Sequence, residues 1–105
     1  PVDAVADNLA GIVAKIRGAN PQARILIAGM QMPESMGADY AADFAAVFAA
    51  VASEQNTALL PFLLEGVAGD PSLNQPDLIH PTPEGQRRIA ENVWSVLRPL
   101  LSPAP

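Results

Sequence analysis

The chain has 105 residues, half of them hydrophobic, and its 11 acidic and 6 basic residues give a net charge of -5 at pH 7. This length and composition predict one globular domain rather than a disordered chain. The few Lys and Arg residues are scattered, which argues against nucleic acid or an anionic membrane surface as a partner. Because the chain has no cysteine, disulfides and thiolate chemistry are excluded.

The first half of the chain reads as a helix, a strand, a loop and a second helix. Helical spacing of apolar residues predicts a first helix that stops at Gly18. The branched apolar run from Arg24 to Met30 predicts a strand buried on both faces. A loop over residues 31–37 then leads into an alanine-rich helix over residues 38–54. The longest apolar run, Ala41 to Ala52, is interrupted by Asp43 and is too short to span a bilayer. The residues predicted to face inward on the first helix are Val5, Leu9, Ile12, Val13 and Ile16.

The second half begins with a turn at Gln55-Asn56 and a second buried strand, Thr57 to Leu60. Residues 62–69 fit either a short helix or an apolar loop, and two prolines mark residues 70–76 as a surface loop. A last helix is predicted over residues 83–98, ended by Pro99 and Pro103. Its predicted inward residues are Ile89, Val93, Trp94 and Leu97.

This order of elements is a βαβ unit with a helix at each end, which predicts parallel strands and a right-handed crossover. Two short parallel strands make a poor sheet alone, so we expect the chain to be the second half of a larger sheet. In such sheets the reactive side chains collect at the carboxyl ends of the strands. We therefore expect the loop after the first strand and the segment around the histidine to border one crevice.

The segment Asp77-Leu78-Ile79-His80-Pro81 contains the only histidine of the chain. A histidine exchanges protons near neutral pH, and a carboxylate on one ring nitrogen fixes the tautomer that leaves the other nitrogen available. Asp77 is a plausible orienting group because the prolines around it favour a turn that brings it towards His80. Thr82 and Pro83 read as N-cap and first residue of the last helix. The alternative is a surface ion pair without chemistry.

Asp77-x-x-His80-Pro81, followed by an amphipathic helix, resembles the last motif of the SGNH (GDSL-type) hydrolases. The whole chain is similar to the C-terminal part of the lysophospholipase L1/acyl-CoA thioesterase I (arylesterase) branch. The resemblance implies an α/β fold in which residues 1–105 form the C-terminal portion of a flavodoxin-like, three-layer αβα sandwich with a parallel sheet. The stretches that carry it are RILIAGMQMPESMG, TALLPFLLEGV and DLIHPTPEGQRRIAENVWSVLRPLL.

The resemblance also implies a function, namely hydrolysis of carboxylic esters or acyl thioesters by a Ser-His-Asp triad. His80 would be the general base and Asp77 its orienting partner. The family's catalytic serine lies in a Gly-Asp-Ser motif, and oxyanion-hole groups come from that serine and from a Gly-x-Asn-Asp block; neither motif occurs in this sequence. We therefore expect an N-terminal segment of the same protein to be a partner that supplies both. The serines that are present read as ordinary surface hydroxyls.

Four residues are candidates for substrate binding, three of them in the loop after the first strand. Flexible methionines adapt to varied apolar shapes, as an acyl chain would require. Aryl, short-chain acyl, thioester and lysophospholipid substrates would all fit. The alternative is that the methionines fill the core, and for Met30 we prefer this structural role. The candidates are Met32, Pro33, Met36 and Ile79.

One histidine without cysteines makes a zinc site improbable, and we predict no metal and no cofactor. Family members are often periplasmic or secreted, which is the location that the resemblance implies. Two other interpretations stay open. The chain could be a non-catalytic α/β module in which Asp77 and His80 contact a ligand, or a structural fragment in which His80 only caps or pairs.

Overall fold

A computed structural model describes residues 2–101 and contains three α-helices and two β-strands. The residues group into two compact units, of which the first ends at Pro61 and the second begins at Phe62. The first unit holds α1, β1, α2 and β2, with a 3-10 turn at Glu34–Met36 before α2, and the second unit holds α3. The elements are α1 (Val2–Ala19), β1 (Leu26–Ala28), α2 (Ala38–Gln55), β2 (Ala58–Leu60) and α3 (Pro83–Leu101).

Within residues 2–101, we find no helix with the length and apolar character that crossing a membrane requires.

The two strands pair in parallel, as predicted, with Ile27 opposite Leu59. The ladder continues just beyond the strands, where the N–H of Gly29 donates to the carbonyl of Leu60 at 2.7 Å. The prediction that the first strand is buried on both faces was wrong, because Ile27 is buried whereas Ala28 is exposed. Ile27 packs against α1 and α2, while its neighbours in the strand point to the opposite face of the pleat.

The core of the first unit lies between α1, α2 and β1. Phe44 and Phe48 of α2 meet edge to face with ring centroids 5.3 Å apart. Met30 packs against this core, which confirms the structural interpretation of that methionine. The buried members of the cluster are Val13, Ile27, Val47, Phe48, Val51 and Ala52.

The apolar stripe of α1 is wider than the surface that it contacts. Val13 is buried, but Ile12 is 56% exposed and Ile16 is also exposed, so the prediction that all five apolar residues face inward was wrong. Successive residues of a helix are rotated by roughly 100°, which turns Ile12 away from the contact centred on Val13. The predicted stop at Gly18 was one residue early, since α1 ends at Ala19.

Asn56 ends α2 in the left-handed conformation, with φ of 54°. Asparagine tolerates this conformation better than most residues, and the reversal lets the N–H of Thr57 donate to the carbonyl of Ala52 at 3.0 Å. The helix boundary predicted at Gln55-Asn56 is confirmed. The reversal also directs the chain into β2.

Residues 62–69 form consecutive turns rather than a helix. Asn92 of α3 ties them down, because its side-chain amide donates to the carbonyls of Leu63 at 3.1 Å and Glu65 at 2.8 Å. Gly66, with φ of 77°, lies against the guanidinium of Arg88. A Cβ at this position would approach the Nε of Arg88 to 3.0 Å, so the turn suits glycine for two separate reasons.

Helix α3 continues through Pro99 to Leu101, and the predicted end at Pro99 was wrong. Proline removes one backbone donor, and Pro99 therefore leaves one carbonyl of the preceding turn of α3 without a helical N–H partner. Pro103 lies outside the described residues. Of the residues predicted to face inward on α3, Trp94 is half-exposed and the others are partly buried.

Two glycines of the first unit give a matched test of the close approach between the chain after β1 and the chain after β2. A Cβ at Gly29 would overlap the backbone carbonyl of Pro61, whereas nothing lies near a Cβ at Gly11 in α1. We expect Gly29→Ala to lower the free energy of unfolding by about 1–3 kcal/mol, and Gly11→Ala to raise it by about 0.5–1 kcal/mol. Urea unfolding followed by circular dichroism measures both. Equal effects of the two substitutions would contradict the close approach at Gly29.

Candidate active site

The candidate site lies in a closed loop between residues 73 and 82, which we call the histidine loop. Its two sides form an antiparallel bridge at Asn74 and Pro81. The N–H of Gln75 donates to the carbonyl of His80 at 2.8 Å, and the N–H of Thr82 donates to the carbonyl of Leu73 at 2.9 Å. These bonds fix the ends of the loop, so the residues at its tip are confined to a short turn.

Asn74 anchors the loop from inside the second unit. Among the described residues, Asn74 is a polar residue that is buried. Its side-chain amide donates to the carbonyls of Val67 at 2.8 Å and Asp70 at 2.9 Å. A buried polar group must be hydrogen-bonded to avoid a large desolvation cost, and Asn74 meets that condition. This role of Asn74 was not predicted from the sequence. The only signal was an asparagine within a proline-bounded loop, which also fits an ordinary turn.

Thr82 connects the loop to α3, as the sequence predicted. Its Oγ1 accepts a hydrogen bond from the N–H of Gly85 at 3.1 Å, and Pro83 is the first residue of the helix. Gly85 is required for close packing, because a Cβ there would overlap the carbonyl of Leu73. The histidine loop therefore leaves directly from a capped helix end.

Asp77 accepts three hydrogen bonds within this loop. Its Oδ1 accepts from the backbone N–H groups of Ile79 at 2.9 Å and His80 at 3.1 Å. Its Oδ2 lies 2.6 Å from the Nδ1 of the His80 ring. The carboxylate thus holds the backbone and the imidazole together, and with the proton on Nδ1 the Nε2 atom is the one that can accept a proton from a reacting group.

The site is open to solvent, since the side chains of His80 and Asp77 are 69% and 42% exposed. The hydrogen bond with the His80 side chain lowers the pKa of Asp77 from 3.8 to about 2, helped by the N–H groups of Ile79 and His80. Each of these donors favours the charged carboxylate over the neutral acid. Asp77 is therefore ionised throughout the pH range in which histidine catalysis operates.

The substrate-binding candidates fall into two groups. Ile79 is in the histidine loop next to His80, and the residue is 73% exposed. Met32, Pro33 and Met36 belong to the first unit, around the 3-10 turn, where Met36 is exposed and Met32 is half-buried. Met32 also borders a pocket of about 240 Å³ formed with the first half of α2. A role of these four residues in binding stays a prediction.

The described serines make local contacts that suit surface hydroxyls. The hydroxyl of Ser72 donates to Asp70 Oδ1 at 2.6 Å, and that of Ser95 donates to the carbonyl of Asn92 at 2.8 Å. Ser35 lies in the 3-10 turn and Ser53 is exposed on α2, while Ser102 is outside the described residues. The structure shows no hydrogen bond between His80 and any of these hydroxyls within residues 2–101.

The profile of the GDSL-like lipase/acylhydrolase family matches residues 1–88, which include the first unit and the whole histidine loop. The chain belongs to the GDSL-like lipase/acylhydrolase family. The resemblance seen in the Asp77-x-x-His80-Pro81 motif is thereby confirmed.

The relatives of this GDSL-family chain are esterases. Esterase TesA of Pseudomonas aeruginosa is 45% identical over 94 residues, which are 90% of this chain and 46% of TesA. An arylesterase of Vibrio mimicus is 30% identical over 93 residues, which are 89% of this chain and 46% of that enzyme. The chain thus spans about half the length of the curated relatives it matches.

The crystal structure of TesA superimposes on this GDSL-family chain with a TM-score of 0.87 and 42% identity. The match covers 96% of the chain and 55% of TesA. The α/β fold with a parallel sheet, expected from the SGNH resemblance, is therefore confirmed. AlinE4, an esterase of the SGNH-hydrolase family, also superimposes, with a TM-score of 0.67 and 29% identity over 98% of this chain and 53% of AlinE4.

The lowered pKa of Asp77 makes the loop sensitive to acid. Because the folded-state pKa of about 2 is below the ordinary 3.8, this carboxylate stabilises the folded loop fully above pH 3.8 and loses that contribution as the pH falls through about 2. We expect hydrogen-exchange protection of the Ile79 and His80 amides to decrease in this window, measured by NMR. In Asp77→Asn, which has no carboxylate to titrate, protection should stay level, and a parallel decrease in both proteins would contradict the assignment.

The substitution Asp77→Asn tests how the ring tautomer is set. An asparagine keeps an oxygen for the two backbone N–H groups but presents an NH₂ group to the ring, so Nδ1 must become an acceptor and the proton must move to Nε2. We expect the ¹⁵N shifts of the His80 ring to reverse between Nδ1 and Nε2. The exposed carboxylate of Asp43 on α2 provides the matched control, because Asp43→Asn should leave the ring shifts unchanged.

Proposed function

We propose that this chain supplies the Asp and His of a Ser-His-Asp triad that hydrolyses carboxylic esters or acyl thioesters. The observation that carries the proposal is the 2.6 Å contact between Asp77 Oδ2 and His80 Nδ1, in a loop that also fixes the backbone of both residues. The esterase names of the relatives support the same reaction class. The serine would come from a polypeptide segment outside this sequence.

In this mechanism Nε2 of His80 takes the proton from the serine hydroxyl while the serine oxygen attacks the carbonyl carbon of the substrate. The resulting imidazolium is stabilised by the Asp77 carboxylate, which remains ionised. His80 then donates the proton to the departing alcohol or thiol, which leaves an acyl-serine. In the second half of the cycle His80 takes a proton from water, whose oxygen attacks the acyl carbon. The bond between the acyl group and the serine oxygen then breaks, and His80 returns the proton to that oxygen as the acid is released.

Several observations support a nucleophile on another segment. The sequence has no Gly-Asp-Ser or Gly-x-Asn-Asp motif, and the matched region is less than half of each curated relative. The parallel sheet of the described residues has only two strands, and α1 exposes Ile12 and Ile16. Exposed apolar residues on a predicted inward face fit a surface that another segment covers. That segment would also bring the oxyanion-hole donors.

In the second unit, Ile79 would contact the apolar part of the substrate. In the first unit, Met32, Pro33 and Met36 are separate candidates for such contacts. Ile79 is 73% exposed and directly precedes His80, so an acyl or aryl group bound at the reacting carbonyl could cover it. The methionines offer flexible apolar contacts. This assignment accommodates aryl, short-chain acyl and thioester substrates.

A fluorophosphonate probe tests the triad directly, because it reacts with an activated serine. We expect that, in the protein as isolated, the label appears on a serine outside residues 1–105, and that His80→Ala lowers the labelling rate by about 10³-fold or more. Intact mass spectrometry under native and denaturing conditions identifies the labelled polypeptide. Asp43→Asn serves as the control, since it removes an exposed carboxylate of α2 that has no role in the proposed mechanism.

Two results would overturn this proposal. Labelling at an unchanged rate in His80→Ala would show that His80 is not the base. A folded protein that takes no label, but binds an acyl ligand in a manner sensitive to His80→Ala, would favour the non-catalytic binding module instead.

A further inference from the structure

Leu78 lies between Asp77 and His80, which we call the Asp77–His80 pair, and it has a backbone conformation that leucine rarely adopts. Its φ is 59°, in the left-handed region, and besides it only Asn56 shows a positive φ among the described non-glycine residues. The left-handed region crowds Cβ against the following carbonyl, so a bulky residue is held there only when its surroundings impose it. Leu78 is 58% exposed, so packing around this residue explains little of the constraint.

The conformation of Leu78 determines where the next two N–H groups point. The N–H of Leu78 itself donates back to the carbonyl of Gln75 at 2.8 Å, which starts the reversal. After the left-handed residue, the N–H groups of Ile79 and His80 both face the Oδ1 of Asp77. An extended or right-handed residue at this position would turn the chain elsewhere and separate these donors from the carboxylate.

The same reversal brings the His80 ring to Asp77. Oδ1 is occupied by the two backbone donors, which orients the carboxylate so that Oδ2 meets Nδ1 at 2.6 Å. His80 and Asp77 are both substantially exposed, so packing does not restrain either side chain strongly. The left-handed backbone at residue 78 therefore accompanies the alignment of both N–H groups and of the ring with the Asp77 carboxylate.

We propose that Leu78 is a positioning residue for the hydrolytic reaction, acting through its left-handed backbone rather than through contact with substrate. This inference rests on the proposed function of His80 as the general base. It predicts that residues which enter the left-handed region easily support the reaction at position 78 irrespective of their side chain. It also predicts that β-branched residues do not.

Three substitutions separate the backbone from the side chain. Glycine and asparagine enter the left-handed region readily but lack the apolar side chain, whereas valine is apolar and disfavours that region. We expect Leu78→Gly and Leu78→Asn to retain kcat for para-nitrophenyl acetate and para-nitrophenyl octanoate. We expect Leu78→Val to lower kcat by about tenfold or more for both esters with little change in KM.

A second readout does not depend on the presence of the serine. In the protein as isolated, the Asp77 carboxyl group can be titrated by ¹³C NMR, with thermal unfolding recorded in parallel. The midpoint should stay at about 2 in Leu78→Gly and Leu78→Asn and rise towards 3.8 in Leu78→Val, because the donors then leave the carboxylate. Glycine and asparagine keep the test valid even if the valine variant perturbs the loop more widely.

The outcomes distinguish this inference from the proposed function. An unchanged Asp77 titration in Leu78→Val would overturn the positioning role of Leu78. A raised KM for the octanoate ester in both Leu78→Gly and Leu78→Asn, with loss of its hydrolysis, would also overturn that role, because it would show that the leucine side chain contacts substrate. If the titration moves as expected while the parent protein hydrolyses neither ester, the positioning of the pair is supported and the hydrolytic function fails.

Discussion

The candidate site depends on a single carboxylate that accepts hydrogen bonds from three N–H groups at once. Asp77 binds two consecutive backbone donors through one oxygen and the His80 ring through the other. Exposed hydrogen bonds are individually weak, because water competes for every partner. Here the donors are two and three residues away along the chain, so little chain entropy is lost in bringing them together. The ring of His80 therefore acquires a fixed orientation without being buried.

Contacts further from the carboxylate keep the loop in the shape that this arrangement needs. The bridge between Asn74 and Pro81 closes the loop, and the buried amide of Asn74 fixes one of its sides to the turns before it. Thr82 connects the other side to the capped start of α3. Because one side of the loop is tied to the preceding turns and the other to a helix, the Asp77–His80 pair keeps its geometry while it stays exposed to solvent.

The features that could be predicted from the sequence are those encoded by neighbouring residues. The Asp77–His80 contact followed from spacing and flanking prolines, and the Thr82 cap and the end of α2 at Gln55 followed from local signals. Burial was less predictable, because periodicity shows which face of an element is apolar and not what covers it. Ile12 and Trp94 are exposed for that reason. The left-handed conformation of Leu78 could not be predicted, because glycine at that position would indicate such a turn and leucine does not.

All the hydrogen bonds that hold the pair join residues between 67 and 86. Forming the geometry therefore requires the closure of short loops, and none of the contacts just described draws on the hydrophobic core centred on Val13. Substitutions in that core change the stability of the first unit, whereas substitutions in the loop change the orientation of the imidazole. The two kinds of change should separate experimentally, because the pair is built by short-range hydrogen bonds and the sheet by long-range apolar contacts.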